Sequence, residues 1–223
     1  MGTYNVNRRV KFFRFKEGKI IYKDKETGQV ETSDGIRGLI QDVRITVENF
    51  EGEVYKQLAI NLFDGEFNNI LCMRLNSGYA KAFCKILPNI DLNKIVEIEG
   101  SYSPIEGSIR HASGMFVLQD KKFVKWYFTN KLPNGMPLKN ESLPKDQQYD
   151  EQLEFFEQLL NEVYWKLNNV PLEARGQMKF PPILQNIKSL NSSAAPVLTD
   201  DKKEVAEIQD AENIAQPIDD LPF

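Results

Sequence analysis

Three successive stretches of period-two alternation, a short stretch of helical period, and then alternation again constrain the fold of this chain more than any other feature. Over 36–48 the apolar set Val43, Ile45 and Val47 alternates with Arg44, Thr46 and Glu48, the pattern of a strand buried on one face. The stretch 49–53 contains Gly52 and predicts a turn. Over 54–63, Leu58, Ile60 and Leu62 fall on one face and Tyr55, Gln57, Asn61 and Phe63 on the other, so the second face is half aromatic and half amide. After Asp64 and Gly65, a third strand over 69–75 turns either Leu71, Met73 and Leu75 or Ile70 and Cys72 to the core. The first choice leaves Arg74 outside. At Ser77 the period changes: this residue can cap a helix through Tyr79, Ala80, Phe83, Cys84 and Leu87, and Pro88 forbids its continuation. Strands follow over 94–102 and 108–118, and 121–129 (Lys121, Lys122, Phe123, Lys125, Trp126, Tyr127, Phe128) predicts a sixth, aromatic and basic.

Three antiparallel strands, one short helix and two more strands is the order of the OB-fold. That fold is a five-stranded Greek-key barrel that binds oligonucleotides across its second and third strands and the neighbouring loops. An SH3-like barrel or a split sandwich would share much of this pattern. The expected class is therefore mainly β, with a barrel core over about 36–128. Before it, 8–16 interleaves Arg8, Arg9, Lys11, Arg14 and Lys16 with Phe12, Phe13 and Phe15. It reads as an edge strand whose charges discourage aggregation, as a nucleic-acid arm, or as both. Runs over 19–24 and 29–32 around Lys25–Gly28 add an N-terminal hairpin. After a Pro- and Asn-rich connection over 131–149, residues 150–168 read as an amphipathic helix on Leu153, Phe156, Leu160, Val163 and Leu167. Phe155, Leu159, Tyr164 and Trp165 widen its stripe, for docking on the barrel or for a homodimer contact. Phe180, Pro181, Pro182, Ile183 and Leu184 would be the last ordered anchor, closing a domain over 1–187.

The chemistry of cofactor-bearing and nucleophilic sites is poorly supplied. The chain has one histidine, His111, and two cysteines, Cys72 and Cys84, without zinc-ligand spacing or a disulfide framework. It has no phosphate loop and no nucleophile elbow. Glu97 and Glu99, two apart on one strand, would be the start of a carboxylate-dependent nuclease, but a solvent-facing strand edge explains them as well. No cofactor, no metal and no catalytic residue is expected, and the chain reads as a non-enzyme. No run of 18 apolar residues and no apolar N-terminal segment is present, so neither a membrane span nor export is expected, and the cytoplasm is the expected compartment.

From Ser189 onward no period remains that could bury a core. Residues 188–223 hold eight acids against three bases, a net of −5 in a chain of net −4, and read as a disordered acidic interaction tail. The chain closes on Asp219, Asp220, Leu221, Pro222 and Phe223. This ending resembles the acidic tip of bacterial and bacteriophage single-stranded DNA-binding proteins, which closes on Asp-Asp, an aliphatic residue, Pro and Phe. The resemblance implies a tip that recruits replication and repair proteins, and a tail that competes with DNA for the basic face of its own body. If the chain is phage-encoded, its compartment is the host cytoplasm.

The expected function is sequence-tolerant binding of single-stranded DNA during replication, recombination and repair. Residues 1–132 hold 20 basic and 16 acidic side chains, so the reading rests on where cations meet aromatics rather than on net charge. Tyr55, Tyr102, Trp126, Tyr127 and Phe123 are candidates for base stacking, worth about 1–3 kcal/mol per base. Arg8, Arg9, Lys11, Arg14, Lys56, Arg74, Arg110, Lys121, Lys122 and Lys125 are candidates for phosphate contacts. Core packing competes for Phe123, Trp126 and Phe128, because alternation must bury one side of their strand. The alternative function is an OB-fold scaffold that holds proteins of a replication complex without substantial DNA affinity of its own.

Overall fold

A computed structural model describes residues 10–50, 52–106, 111–144 and 147–176. The protein is mainly β. Among the described residues nine strands form one open mixed sheet: β1 (Val10–Lys16), β2 (Lys19–Lys23), β3 (Val30–Ser33), β4 (Gly35–Phe50), β5 (Glu53–Phe63), β6 (Asn68–Arg74), β7 (Ile95–Pro104), β8 (His111–Gln119) and β9 (Lys122–Phe123). Helices α1 (Gly78–Ile86), α2 (Asp150–Asn169) and α3 (Leu172–Arg175) complete the fold. The sheet order is β3-β2-β1-β6-β5-β4-β7-β8-β9. No helix among these is long and apolar enough to cross a membrane.

The long strand β4 is the spine. Its first residues, Gly35 to Leu39, pair antiparallel with β7, and Leu39 to Phe50 pair antiparallel with β5. A register shift between Ile40 and Asp42 marks a bulge where the partner changes, and a bulge bends and twists its strand. β5 continues antiparallel to β6, and β7 to β8. The predicted alternation sends Val43, Leu58, Ile60, Leu62, Leu71 and Met73 inward together with Val96, Ile98, Met115 and Val117. Of the two options for β6, the one that leaves Arg74 outside is the one adopted. Each such side chain contributes roughly 1.5–3 kcal/mol when fully buried.

Helix α1 is capped as expected, by Ser77 Oγ accepting from the Ala80 N–H at 3.2 Å, and every one of its residues is buried. On α2, Phe155, Phe156, Leu159, Leu160, Val163 and Leu167 join the same core, while Tyr164 and Trp165 stay exposed. The widened stripe therefore divides: its first half docks and its second half faces solvent. Asp150 and Glu151 stand in the first turn of α2, where the helix dipole favours them.

Three expectations are corrected. In place of a closed five-stranded barrel there is an open sheet of nine strands, because β1 pairs in parallel with the free edge of β6 and carries β2 and β3 with it. The sheet still curls: a Cβ on Gly100 of β7 would overlap the Gly18 carbonyl oxygen in the β1–β2 turn and lie 2.9 Å from the Phe15 ring. The predicted sixth strand over 121–129 shortens to Lys122–Phe123. Beyond it the chain peels away, and the N–H groups of Tyr127 and Phe128 both donate to the Lys85 carbonyl, at 2.8 and 3.2 Å. That carbonyl lies in the last turn of α1, where acceptors lack partners within the helix. As a result Phe128 is buried, whereas Phe123 and Trp126 remain exposed and are not core. Finally, Val47 and Val54 lie beyond the core where the β4–β5 hairpin overhangs it, so alternation there buries nothing.

Candidate nucleic-acid interface

Four neighbouring strands, β1, β6, β5 and β4, turn their second face away from the core, and register fixes what that face carries. Phe12 lies opposite Ile70 and Arg14 opposite Cys72. Ile70, Cys72 and Arg74 lie opposite Asn61, Ala59 and Gln57. Asn61, Ala59 and Gln57 in turn lie opposite Asp42, Arg44 and Thr46. One face thus gathers Phe12, Arg14, Arg74, Tyr55, Gln57 and Arg44. Arg74 sits over the Tyr55 ring, 4.5 Å from its centroid, and reaches Glu53 at 3.4 Å. Arg44 donates from Nε to Asp42 at 2.7 Å. Phe12 is half exposed, with the Lys25 ammonium 5.6 Å from its ring. The side-chain oxygens Oδ1 of Asp42, Asn61 and Asn68 on this face are buried and lack a hydrogen-bond partner among the described residues. Such a surface offers rings for stacking, guanidinium groups for phosphates and amides for base edges.

The predicted residues distribute unevenly around it. Arg14, Tyr55 and Arg74 share the face. Lys11 has the opposite parity and lies over the Tyr22 and Phe67 rings, at 5.2 and 5.0 Å. Lys56 also points to the other side and pairs with Glu157 of α2 at 2.6 Å. Those two residues line, with Tyr55 and Arg74, a cleft of about 400 Å³ that also holds Glu53, Asp150 and Glu154, so the ring and the guanidinium of the face stand beside four carboxylates. Tyr102 stacks on His111, with ring centroids 4.6 Å apart and planes 10° apart, toward the far end of the β7–β8 pair. Lys121 and Lys122 are exposed at the β8–β9 turn. Lys125, Trp126 and Tyr127 belong to the segment that leaves the sheet for α1. Arg8, Arg9, Arg110 and the acidic tip Asp219, Asp220, Leu221, Pro222 and Phe223 lie outside the described residues.

Sequence reasoning missed two lysines. Lys81 and Lys85, one turn apart on α1, are both buried. The Lys81 ammonium lies 4.2 Å from the centroid of the Tyr149 ring, and that of Lys85 5.1 Å from the centroid of the Trp126 ring. Burial, and then the charge of Lys85, push Lys81 down to about 8. The signal was present: 78–86 offers no polar face apart from these two lysines, so the helix could only be buried with them.

The thiols are not activated. Burial pushes both Cys72 and Cys84 up, the opposite of what a nucleophilic thiolate needs. Among the described residues no three His, Cys, Asp or Glu side chains cluster so as to hold a metal ion. No family model, no curated protein and no solved structure matches the chain.

Proposed function

We propose that the chain is a sequence-tolerant single-stranded DNA-binding protein without enzymatic activity, built on a variant of the OB-fold in which the N-terminal hairpin takes the edge of the third barrel strand. The support for the fold reading is the division of β4 between β7 and β5, with β4–β5–β6 and β4–β7–β8 as the two antiparallel runs. The observation that carries the functional reading is the Arg74–Tyr55 pair on the outward face of β6 and β5, flanked by Gln57, Arg14 and Phe12. Cations and rings on one face accept a strand whose bases are unpaired, whatever their sequence. The acidic segment ending in Asp219, Asp220, Leu221, Pro222 and Phe223 is proposed, on its resemblance, as the element that recruits replication and repair proteins. The cytoplasm is proposed as its compartment, and Tyr164 and Trp165 as the surface for any homodimer.

Fluorescence anisotropy of a labelled poly-dT oligonucleotide, titrated with the full chain at several salt concentrations, tests the proposal. Affinity should fall linearly in log salt, with a slope of about −0.7 for each phosphate neutralised on a single strand. No binding at low ionic strength removes the reading. A protein scaffold would then take its place, favoured by the exposed Phe116–Phe123 pair, whose ring centroids are 5.6 Å apart.

A further inference from the structure

The cleft beside Tyr55 and Arg74 has a volume of about 400 Å³, within the range of roughly 300–1,000 Å³ typical of small-ligand sites. It opens where β5 begins and β6 ends, against the first turns of α2. Its charges do not cancel. Glu157 is taken by Lys56 at 2.6 Å, and Glu53 by the Arg74 guanidinium at 3.4 Å. Asp150 and Glu154, one turn apart on α2 and both exposed, have no cation paired with them among the described residues. The rest of the wall is the Tyr55 ring with the apolar side chains of Val54, Leu75 and Leu153. A ring, an apolar wall and two unpaired acceptors suit a flat ligand that carries hydrogen-bond donors on its edge.

A single strand of DNA offers this cleft two chemistries. Its backbone is anionic, and the unpaired carboxylates repel it. Its bases are neutral, with faces that stack on a tyrosine ring and edges that differ in their donors and acceptors. An ionised carboxylate only accepts. It therefore suits the N4 amine of cytosine and opposes the O4 of thymine, which is itself an acceptor. The position of the cleft agrees with this division. Tyr55 and Arg74 belong both to the cleft and to the outward face of the sheet. A strand whose phosphates stay with the guanidinium groups of that face thus presents a base, and not its backbone, to the opening.

We infer that this cleft is a nucleobase pocket in which a base stacks against Tyr55 and donates its exocyclic amine to Asp150 and Glu154, so that cytosine is held in preference to thymine. This rests on the function proposed above and grades its sequence tolerance at one position. The test is anisotropy of labelled poly-dC and poly-dT oligonucleotides of equal length, titrated with the full chain at one salt concentration and above neutral pH, where cytosine is unprotonated. Poly-dC should bind about tenfold more tightly, the discrimination of one amine–carboxylate contact. Asp150→Ala and Glu154→Ala should each lower that ratio, and the double variant should bring it to about one. The ratio isolates the pocket, because a variant that merely loosens the fold weakens both oligonucleotides alike. A wild-type ratio near one, as a pocket for a partner protein's Lys or Arg would give, overturns the inference and leaves the general reading standing. A ratio that persists in the double variant overturns it as well, and should that variant not fold, the two single variants decide. Absence of wild-type binding to either oligonucleotide overturns both the pocket and the reading on which it rests.

Discussion

At the scale of single residues, Tyr55 and Arg74 make separable predictions because one contributes a ring and the other a charge. Tyr55→Leu should weaken binding to poly-dT by about 1–3 kcal/mol while leaving the salt slope unchanged. Arg74→Gln should weaken it and also reduce the slope by about 0.7. Salt titration reads both quantities, and a slope change in Tyr55→Leu would show that the ring is not a stacking platform. Lys81 makes a prediction about stability. Its amine, ordinarily 10.5, is held at about 8 in the folded protein. Between those values the unfolded chain binds a proton that the folded one does not, so raising the pH favours folding. Urea denaturation should therefore show stability rising from pH 8 to 10, by at most about 3 kcal/mol from this group. Lys81→Met should abolish the rise and be the more stable form at pH 7. The window closes near pH 10, because buried Tyr79 is pushed up and its ionisation then opposes folding. The placement of Tyr55, Gln57 and Arg74 on the outward face follows from alternation and was legible in the sequence. Lys56 was legible as a cation but not as the partner of Glu157, which lies 101 residues away.

At the scale of elements, helix α1 and its cap followed from Ser77, the change of period and Pro88, all of them local signals. What local signals could not carry was how closely α1 presses on the sheet. A Cβ on Gly78 would overlap the Ser113 carbonyl oxygen and lie 2.6 Å from Ser113 Oγ, whereas a Cβ on Gly114, the next residue of β8, would meet nothing within 4 Å. Gly78→Ala should accordingly cost about 1–3 kcal/mol by overpacking, and Gly114→Ala should stay within about 0.5 kcal/mol. Denaturant midpoints of the two variants check this, and equal midpoints would mean that α1 can shift away from β8. The same limit explains the misread segment over 121–129. Its alternation is strand-like as far as Phe123, but the last-turn carbonyl of Lys85 offers two later N–H groups a competing acceptor, and competition between distant partners leaves no mark on period. Strand β1 shows the complementary case: that it is a strand was legible, but the expected edge position was wrong, since it lies inside the sheet between β2 and β6, and nothing in a strand's own sequence names its neighbours.

For the whole molecule, charge is distributed so that the two ends of the chain should act on the same ligand with opposite sign. Residues 200–223 hold eight acids and two bases, so a form ending at Thr199 changes from net −4 to net +2. An excess of negative charge tethered to a DNA-binding body repels the strand or occupies cations that would meet its phosphates. Both effects are screened within about 10 Å at 0.1 M salt. The truncated form should therefore bind poly-dT more tightly than the full chain at low ionic strength, with the two titrations converging as salt rises. A form lacking only Asp219 to Phe223 separates bulk charge from the tip. If the tip itself holds the basic face, this short deletion should produce most of the tightening, whereas bulk repulsion scales with the two acids removed out of eight. Equal affinities of all three forms at low salt would mean that the acidic segment does not compete with DNA.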